Sequence, residues 1–501
     1  MSDSEFNKEL TRRGFIKAGT IGTGAIALGL MSGEAMAQEP KPKKWDRTFD
    51  VVVIGSGGAG LAAAVTAADK GASVIVLEKM PTIGGNTMIS GGFMNAADPG
   101  RQEKQGIADS SENHFKQTLA AGDFRADSEK VKILTANALD SVHWLESLGM
   151  KFDDKVIQIY GALYPRSHVP KEPKGTGYIR VLKAACDKRK ISILTQTKVD
   201  AIIRDKQFAG RVLGIKATDK RNKPVYFRAK KAVVLASGGF GANRELRALH
   251  DPRMKDLTTT NQPGATGEVI LYAMGVGGYP VGMDYIQCNP GAPPGRSLRI
   301  TLHLDVSGFI FVDKRGQRFV AEDERRDVLR EAILNLPEKY GFTVLDDEVF
   351  QGYDKITRDT TMAGIKEGDA WTANTLEELA SKMGMPSDAF VATVKRYNEV
   401  IVPNKKDPDF GKKPHNLTKV IAKAPFWACY AGMAVHHTMG GLNINTRAQV
   451  LDRERKVIPG LYAAGEVTGG IHGTNRVGGN AIADIFVFGR IAGANASGEK
   501  A

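Results

Sequence analysis

Apolar residues in this chain come in short unbroken blocks that end in glycine turns. The first is Phe49-Asp50-Val51-Val52-Val53-Ile54, rich in β-branched side chains. A run this short and apolar predicts a parallel strand buried on both faces. Leu61 to Lys70 follows, alanine-rich and of helical length, and Ser73 to Leu77 is a second apolar run. Strand, helix and strand in that order predict a βαβ unit and an α/β fold. The pattern returns later. Ala232 to Asn243 (AVVLASGGFGAN) and Ile458 to Gly470 (IPGLYAAGEVTGG) each read as a strand running into a glycine turn. Between them, DDEVFQGYDKI, TANTLEELASKMGM and PSDAFVATVKRYNEVIV read as helices of an α+β segment, with Asn374 or Thr375 and Ser387 near N-caps.

The first glycine turn carries chemistry. Gly55-Ser56-Gly57-Gly58-Ala59-Gly60 has the spacing G-x-G-x-x-G, and Glu78 ends the second strand. In a βαβ unit this is a dinucleotide fingerprint. Gly55 allows the turn, Gly57 lets a pyrophosphate approach the backbone, and Gly60 lets helix and strand pack closely. Glu78 is placed to bond a ribose hydroxyl. IGGNTMISGGFMN (Ile83 to Asn95) follows at once, and distant strand-plus-glycine segments return to the same cofactor. That layout is typical of two-dinucleotide-binding flavoproteins, so FAD rather than NAD is expected, bound non-covalently.

Composition narrows the partners. With 501 residues the chain is long enough for two or three domains. The net charge of +13 is spread over short basic runs with no interleaved aromatics, which argues against nucleic acid and fits anionic substrates or an acidic partner. The three cysteines, Cys186, Cys288 and Cys429, form no CxxC or CxxCH, so covalent c-type haem, iron–sulfur clusters and cysteine zinc sites are not expected. No metal site is expected either. Residues 1–37 read as a twin-arginine export signal: Arg12-Arg13, a weakly apolar glycine-rich stretch, and the Ala35-Met36-Ala37 cleavage pattern. The mature chain has no run of ~18 apolar residues, so no membrane span is expected. The expected location is the periplasm.

GGNT, HHTMGG (His436 to Gly441), GQRFVAEDERRD (Gly316 to Asp327) and IPGLYAAGEVTGGIHGTNRVGGNAI together resemble the soluble periplasmic fumarate reductases (flavocytochromes c) and their relatives, urocanate reductase and other flavin-based 2-enoate reductases. The resemblance runs from Phe49 to Gly493. It implies a two-dinucleotide-binding FAD domain (48–284 and 436–501) with an inserted α+β cap (285–435) that closes the site against water. In that family reduced FAD gives a hydride to one alkene carbon and an arginine gives a proton to the other. Carried over by position, the proton donor is Arg326, the carboxylate clamp is His436 and Arg476, Thr301 binds carboxylate, and Gly479 lies by the substrate. Ala59, Glu78, Asn86, Thr87, Gly92, His437, Glu466, Ala481 and Ile482 match FAD contacts. For Arg476 the alternative is pairing with an internal carboxylate such as Glu466, because a buried guanidinium needs an anion.

The chain departs from the family at the far end of the site. A relay glutamate and arginine become Leu302 and Asp305, a histidine for the second carboxylate becomes Asn289, and a methionine over the substrate becomes Tyr160. Asp305, His303 and Arg325 are the candidates left for the relay. Tyr160 either stacks on an aromatic substrate or fills space. One carboxylate clamp remains, which favours a monocarboxylate such as acrylate, methacrylate, cinnamate or urocanate over fumarate. Lacking haem, the chain is expected to take electrons from a separate c-type cytochrome. A dehydrogenase that makes a C=C bond, of the succinate or ketosteroid kind, and a flavin electron carrier are the rival readings.

Overall fold

The computed structural model of the chain describes residues 39–206, 208–296 and 300–500. The twin-arginine segment lies outside them. Five parallel strands form the main sheet in the order Val457–Ala463, Pro224–Leu235, Arg47–Ile54, Val74–Leu77, Ser192–Leu194. Val51 to Ile54 and Val74 to Leu77 are buried, as continuous apolar runs require in a sheet covered on both faces. Gln449–Leu451 adds an antiparallel edge, and the ribbon Lys198–Lys206/Ala209–Thr218 extends from Pro224–Leu235.

The helix Gly58–Asp69 crosses between the first two strands and packs under the final helix, Asn480–Gly498. Small residues make that packing close. A Cβ on Gly493 would lie 2.2 Å from the Ala63 carbonyl oxygen, and one on Gly489 would lie 2.7 Å from that of Ala59. The helices therefore meet backbone to backbone. Four of the parallel strands end side by side at Gly55, Glu78, Ala236 and Ala464, all of which line one cavity. Ligands in open α/β sheets bind at that edge.

Two long strands, Ile286–Ala292 and Gly432–Thr438, pair antiparallel as a ribbon beside the main sheet. Between them in sequence lies a four-stranded antiparallel sheet in the order Phe309–Val312, Phe342–Leu345, Phe426–Tyr430, Ala370–Ala373. It has its own core, including Ile310, Phe342, Leu379, Phe390 and Tyr397. Thr375 caps the helix Leu376–Met383, its hydroxyl accepting from the Glu378 N–H while the Glu378 carboxylate accepts from the Asn374 N–H. The arrangement is a variant of the capping box, with the carboxylate reaching one residue further back than the N-cap. Ser387 lies next to the N-cap as expected, opening the helix Ser387–Arg396 after Pro386. One helix expectation needs correction. DDEVFQGYDKI is not one helix: Asp347–Gln351 ends at Gly352, and Asp354 caps a new helix, Lys355–Glu367.

The mixed-charge run from Glu322 to Arg330 is not a solvated face. Glu322 is fully buried, bonded by Arg318 and paired with Lys412 at 3.3 Å. Burial alone would raise its pKa, but the two cations hold the carboxyl below its ordinary range. Among the described residues no helix is long and apolar enough to cross a membrane.

Candidate active site

The cavity at the strand ends is lined by the glycine turn from Gly55 to Ala59, Glu78, Asn86, Thr87, Val199, Ser237, Gly238 and Glu466. Two of the fingerprint glycines, Gly55 and Gly60, are required by their surroundings. Gly55 has φ +103°, and a Cβ there would lie 2.3 Å from the Ala236 carbonyl oxygen. A Cβ on Gly60 would lie 2.0 Å from the Gly55 carbonyl oxygen, so only glycine lets this helix start against its strand. Gly57 is different: a Cβ there meets nothing nearer than 3.8 Å. The open face it leaves is what a diphosphate approaching a helix N-terminus needs. Glu78 ties the turn together, its Oε2 accepting from the Ser56 N–H and hydroxyl and its Oε1 from the Met80 N–H. Thr87 accepts from the Gly58 N–H, and Asn86 is held by Asn261 and Gln262. At Gly92, φ +78°, a Cβ would lie 2.5 Å from the Lys174 carbonyl oxygen. Glu466 accepts from the Thr438 N–H and hydroxyl, and burial pushes its pKa up.

The second half of the site lies where the ribbon meets the helix Arg326–Leu334 and the loop before the final helix. Arg326 is the first residue of the helix Arg326–Leu334 and is buried. Arg476, buried in the glycine-rich loop before the final helix, meets it at one atom. Gln287 Oε1 accepts from Arg476 Nη2 at 2.8 Å and from Arg326 Nη1 at 3.2 Å. The remaining partners are the Tyr160 carbonyl for Arg326 and the Val477 carbonyl for Arg476. Thus among the described residues both guanidiniums rest on an amide and on backbone carbonyls, not on carboxylates. The Nε of each is buried with no hydrogen-bond partner. Burial, and then the neighbouring charge of Arg326, push Arg476 down to about 9. Burial also pulls Arg326 below its ordinary value. Two desolvated cations side by side leave a net positive cavity that an anion relieves.

Gln287 was not singled out from the sequence. Its signal was its spacing of two from Asn289 on one strand, which puts both on one face. Asn289 is buried with its Oδ1 unpartnered. Across the ribbon, Gln287 pairs with His437 and Cys288 with Val435, so His436 falls in a β-bulge. Bulges re-aim side chains beside functional sites. The Thr260 hydroxyl lies 2.8 Å from His436 Nδ1 and fixes the half-buried ring. His437 is buried edge-on to His472, 5.7 Å away. Burial, reinforced by Arg476, holds it well below the ordinary imidazole range and hence neutral. Gly479, φ +89°, is the N-cap of the final helix, and Ala481 and Ile482 lie in its first turn.

The other expected residues divide. Tyr160 lies 5.2 Å from the Arg326 guanidinium carbon and edge-on to His303 at 5.1 Å. Leu302 is buried, and its carbonyl accepts from the Tyr353 hydroxyl. Thr301 is half-buried between Ile300 and Leu302. Two relay candidates are committed elsewhere. Arg325 is bonded to Asp123 and Asp327, and Asp305 is paired with Lys419 at 2.7 Å.

The family model described as an FAD binding domain matches residues 50–482. The chain is 40% identical over 452 residues to a fumarate reductase (cytochrome) from Shewanella frigidimarina, covering 90% of this chain and 77% of the relative. It belongs to the FAD-binding fumarate reductase family. An NADH:acrylate oxidoreductase from Vibrio harveyi is 38% identical over 538 residues, 95% of this chain and 53% of the relative, so the chain spans about half of that protein. The open conformation of a flavocytochrome c3 fumarate reductase matches with a TM-score of 0.75 and 36% identity, covering 91% of this chain and 79% of that one. The flavoprotein's cofactor is FAD, and the open face at Gly57 with the acceptor groups of Glu78 fits it. Replacing Glu78 with alanine is expected to weaken FAD retention about 10-fold or more, since a charge-assisted bond is worth roughly 1.5–3 kcal/mol. Flavin absorbance per protein after gel filtration checks it.

Proposed function

We propose that this flavoprotein reduces the C=C bond of an α,β-unsaturated monocarboxylate in the periplasm, with electrons from a separate c-type cytochrome. The observation that carries the reading is the pair of buried guanidiniums meeting at Gln287 with no carboxylate partner among the described residues. Such a site is built for an anion brought from outside. Reduced FAD, when bound, supplies the hydride. Arg476 and His436 hold the carboxylate, into which charge flows as the alkene carbon accepts hydride. Cations fixed there stabilise the charge that develops in the transition state. Arg326 gives the proton to the second carbon, and its lowered pKa is the direction an acid needs. Of the three relay candidates, His303 adjoins Tyr160, which lies against Arg326, and is the group that supports reprotonation best.

The preference against dicarboxylates rests on Asn289, neutral and buried, at the position where the family carries a histidine for the second carboxylate. A neutral amide supplies no charge to a second carboxylate, and an unpaired buried charge is costly. The test is reoxidation of the dithionite-reduced enzyme by a panel of enoates under anaerobic conditions. A monocarboxylate is expected to exceed fumarate in kcat/KM by about 100-fold or more. A highest kcat/KM for fumarate overturns the preference, and a panel with no reoxidation overturns the reductase reading.

A further inference from the structure

Arg326 is held on a turn that the sequence does not mark. Residues Ile159 to Ala162 close a β-turn, with the Ala162 N–H donating to the Ile159 carbonyl at 2.8 Å. Gly161, φ +73°, occupies its third position, where a type II turn demands glycine. The two carbonyls in the middle of this turn do different work. The Tyr160 carbonyl accepts from Arg326 Nη2 at 2.9 Å, and the Gly161 carbonyl accepts from the Gly478 N–H at 2.6 Å. Gly478 is two residues beyond Arg476, so the two consecutive peptide units that flank Gly161 join the segments that bring both arginines. The fit is close on each side. A Cβ on Gly161 would lie 2.6 Å from Arg326 Nε and 2.9 Å from Cζ, and a Cβ on Gly478 would lie 2.7 Å from the Tyr160 carbonyl oxygen.

We propose that Gly161 is a positioning residue for proton transfer: its bare Cα is the surface on which the Arg326 guanidinium lies, and the adjoining Tyr160 carbonyl and Gln287 amide fix the rotation of the fork. The inference rests on Arg326 being the proton donor. Any side chain at 161 pushes the guanidinium off this surface, toward the substrate or away from the Tyr160 carbonyl. Proton transfer is steep in donor placement, and a shift of about 1 Å costs on the order of 10²-fold in rate. Substrate binding through Arg476 and His436 is left largely in place, so the loss falls on kcat rather than on KM.

The experiment compares FAD-loaded wild type, Gly161→Ala, Arg326→Lys and the double variant, with the best enoate of the panel as oxidant of the reduced flavin. Gly149→Ala is the control for backbone strain, since Gly149 has φ +97° and nothing within 4 Å of a Cβ. Gly161→Ala is expected to lower kcat about 10- to 100-fold, with KM and flavin content within about threefold, while Gly149→Ala stays near wild type. A lysine is narrower and lacks the planar fork, so in the Arg326→Lys background Gly161→Ala is expected to change kcat by less than about threefold. An unchanged kcat in Gly161→Ala, or the same fold-loss in both backgrounds, overturns the proposal. Should Gly161→Ala fail to hold flavin, Gly478→Ala presses on the same turn from the other side, and an unchanged kcat there overturns it equally. Failure of the donor reading is separately visible: Arg326→Ala then keeps its activity whatever happens at Gly161.

Discussion

Arg326→Ala is expected to lower kcat by about 10²–10⁴-fold, the range that general acid catalysis contributes, with FAD bound and substrate Kd within a few-fold. The expectation follows from where the guanidinium sits. It is anchored by Gln287 and the Tyr160 carbonyl and does not line the cavity at the strand ends, so its loss is expected to leave the cofactor bound. Removing it takes one positive charge from the cavity, but it also relieves the repulsion that pulls the Arg476 pKa down, so the clamp stays charged and the change in Kd stays small. Arg326→Lys restores little, because an ammonium cannot span Gln287 and the Tyr160 carbonyl as the fork does. Rates come from reoxidation of the reduced flavin and Kd from titration of the oxidised enzyme. A variant that keeps about a tenth of kcat has lost only about 1.4 kcal/mol. That outcome takes the donor role from Arg326 and moves the search to His303.

Arg476→Ala is expected to act on binding first. Removing one partner of a buried, hydrogen-bonded charge pair costs roughly 2–5 kcal/mol, so kcat/KM should fall between about 30-fold and several thousand-fold. KM rises because the carboxylate is held in the ground state as well as in the transition state. Part of kcat falls too, through misplacement and through lost stabilisation of charge on the carboxylate. The contrast between the two arginines is the check: Arg326→Ala loses kcat at nearly constant Kd, while Arg476→Ala shifts KM. The same kinetic signature in both variants means that the two do not hold separate roles.

Much of this site was legible because its signals are local. The glycine turn, the helix after it and Glu78 lie within about one βαβ unit, and Gly55 and Gly60 each have a steric reason to be there. Arg476 was conspicuous as a charge among glycines. What stayed hidden depends on segments far apart in the chain. Gln287 meets Arg326 39 residues away and Arg476 189 residues away. Thr260 meets His436 across 176 residues. The bulge at His436 exists only because Ile286–Ala292 pairs beside it, and two consecutive histidines give no sign of it. Tyr160 was noticed as a side chain, whereas its carbonyl and the next glycine hold the arginine. Arg325 and Asp305 carry the right chemistry for a relay, but their nearest opposite charges capture them.

Gln287 and Asn289 share a strand whose side chains alternate in direction. Between them Cys288 faces away, its sulfur 3.6 Å from that of Met254. This spacing constrains how the protein can evolve. A change of side chain at 289 leaves the arginine bridge at 287 untouched, so preference at the far end of the substrate is free to drift by single substitutions. Gain or loss of one residue in the strand is another matter, for it turns both amides out of the site and brings the cysteine in. Lineages descended from this chain should therefore diverge in substrate by replacement along this strand and keep its length fixed.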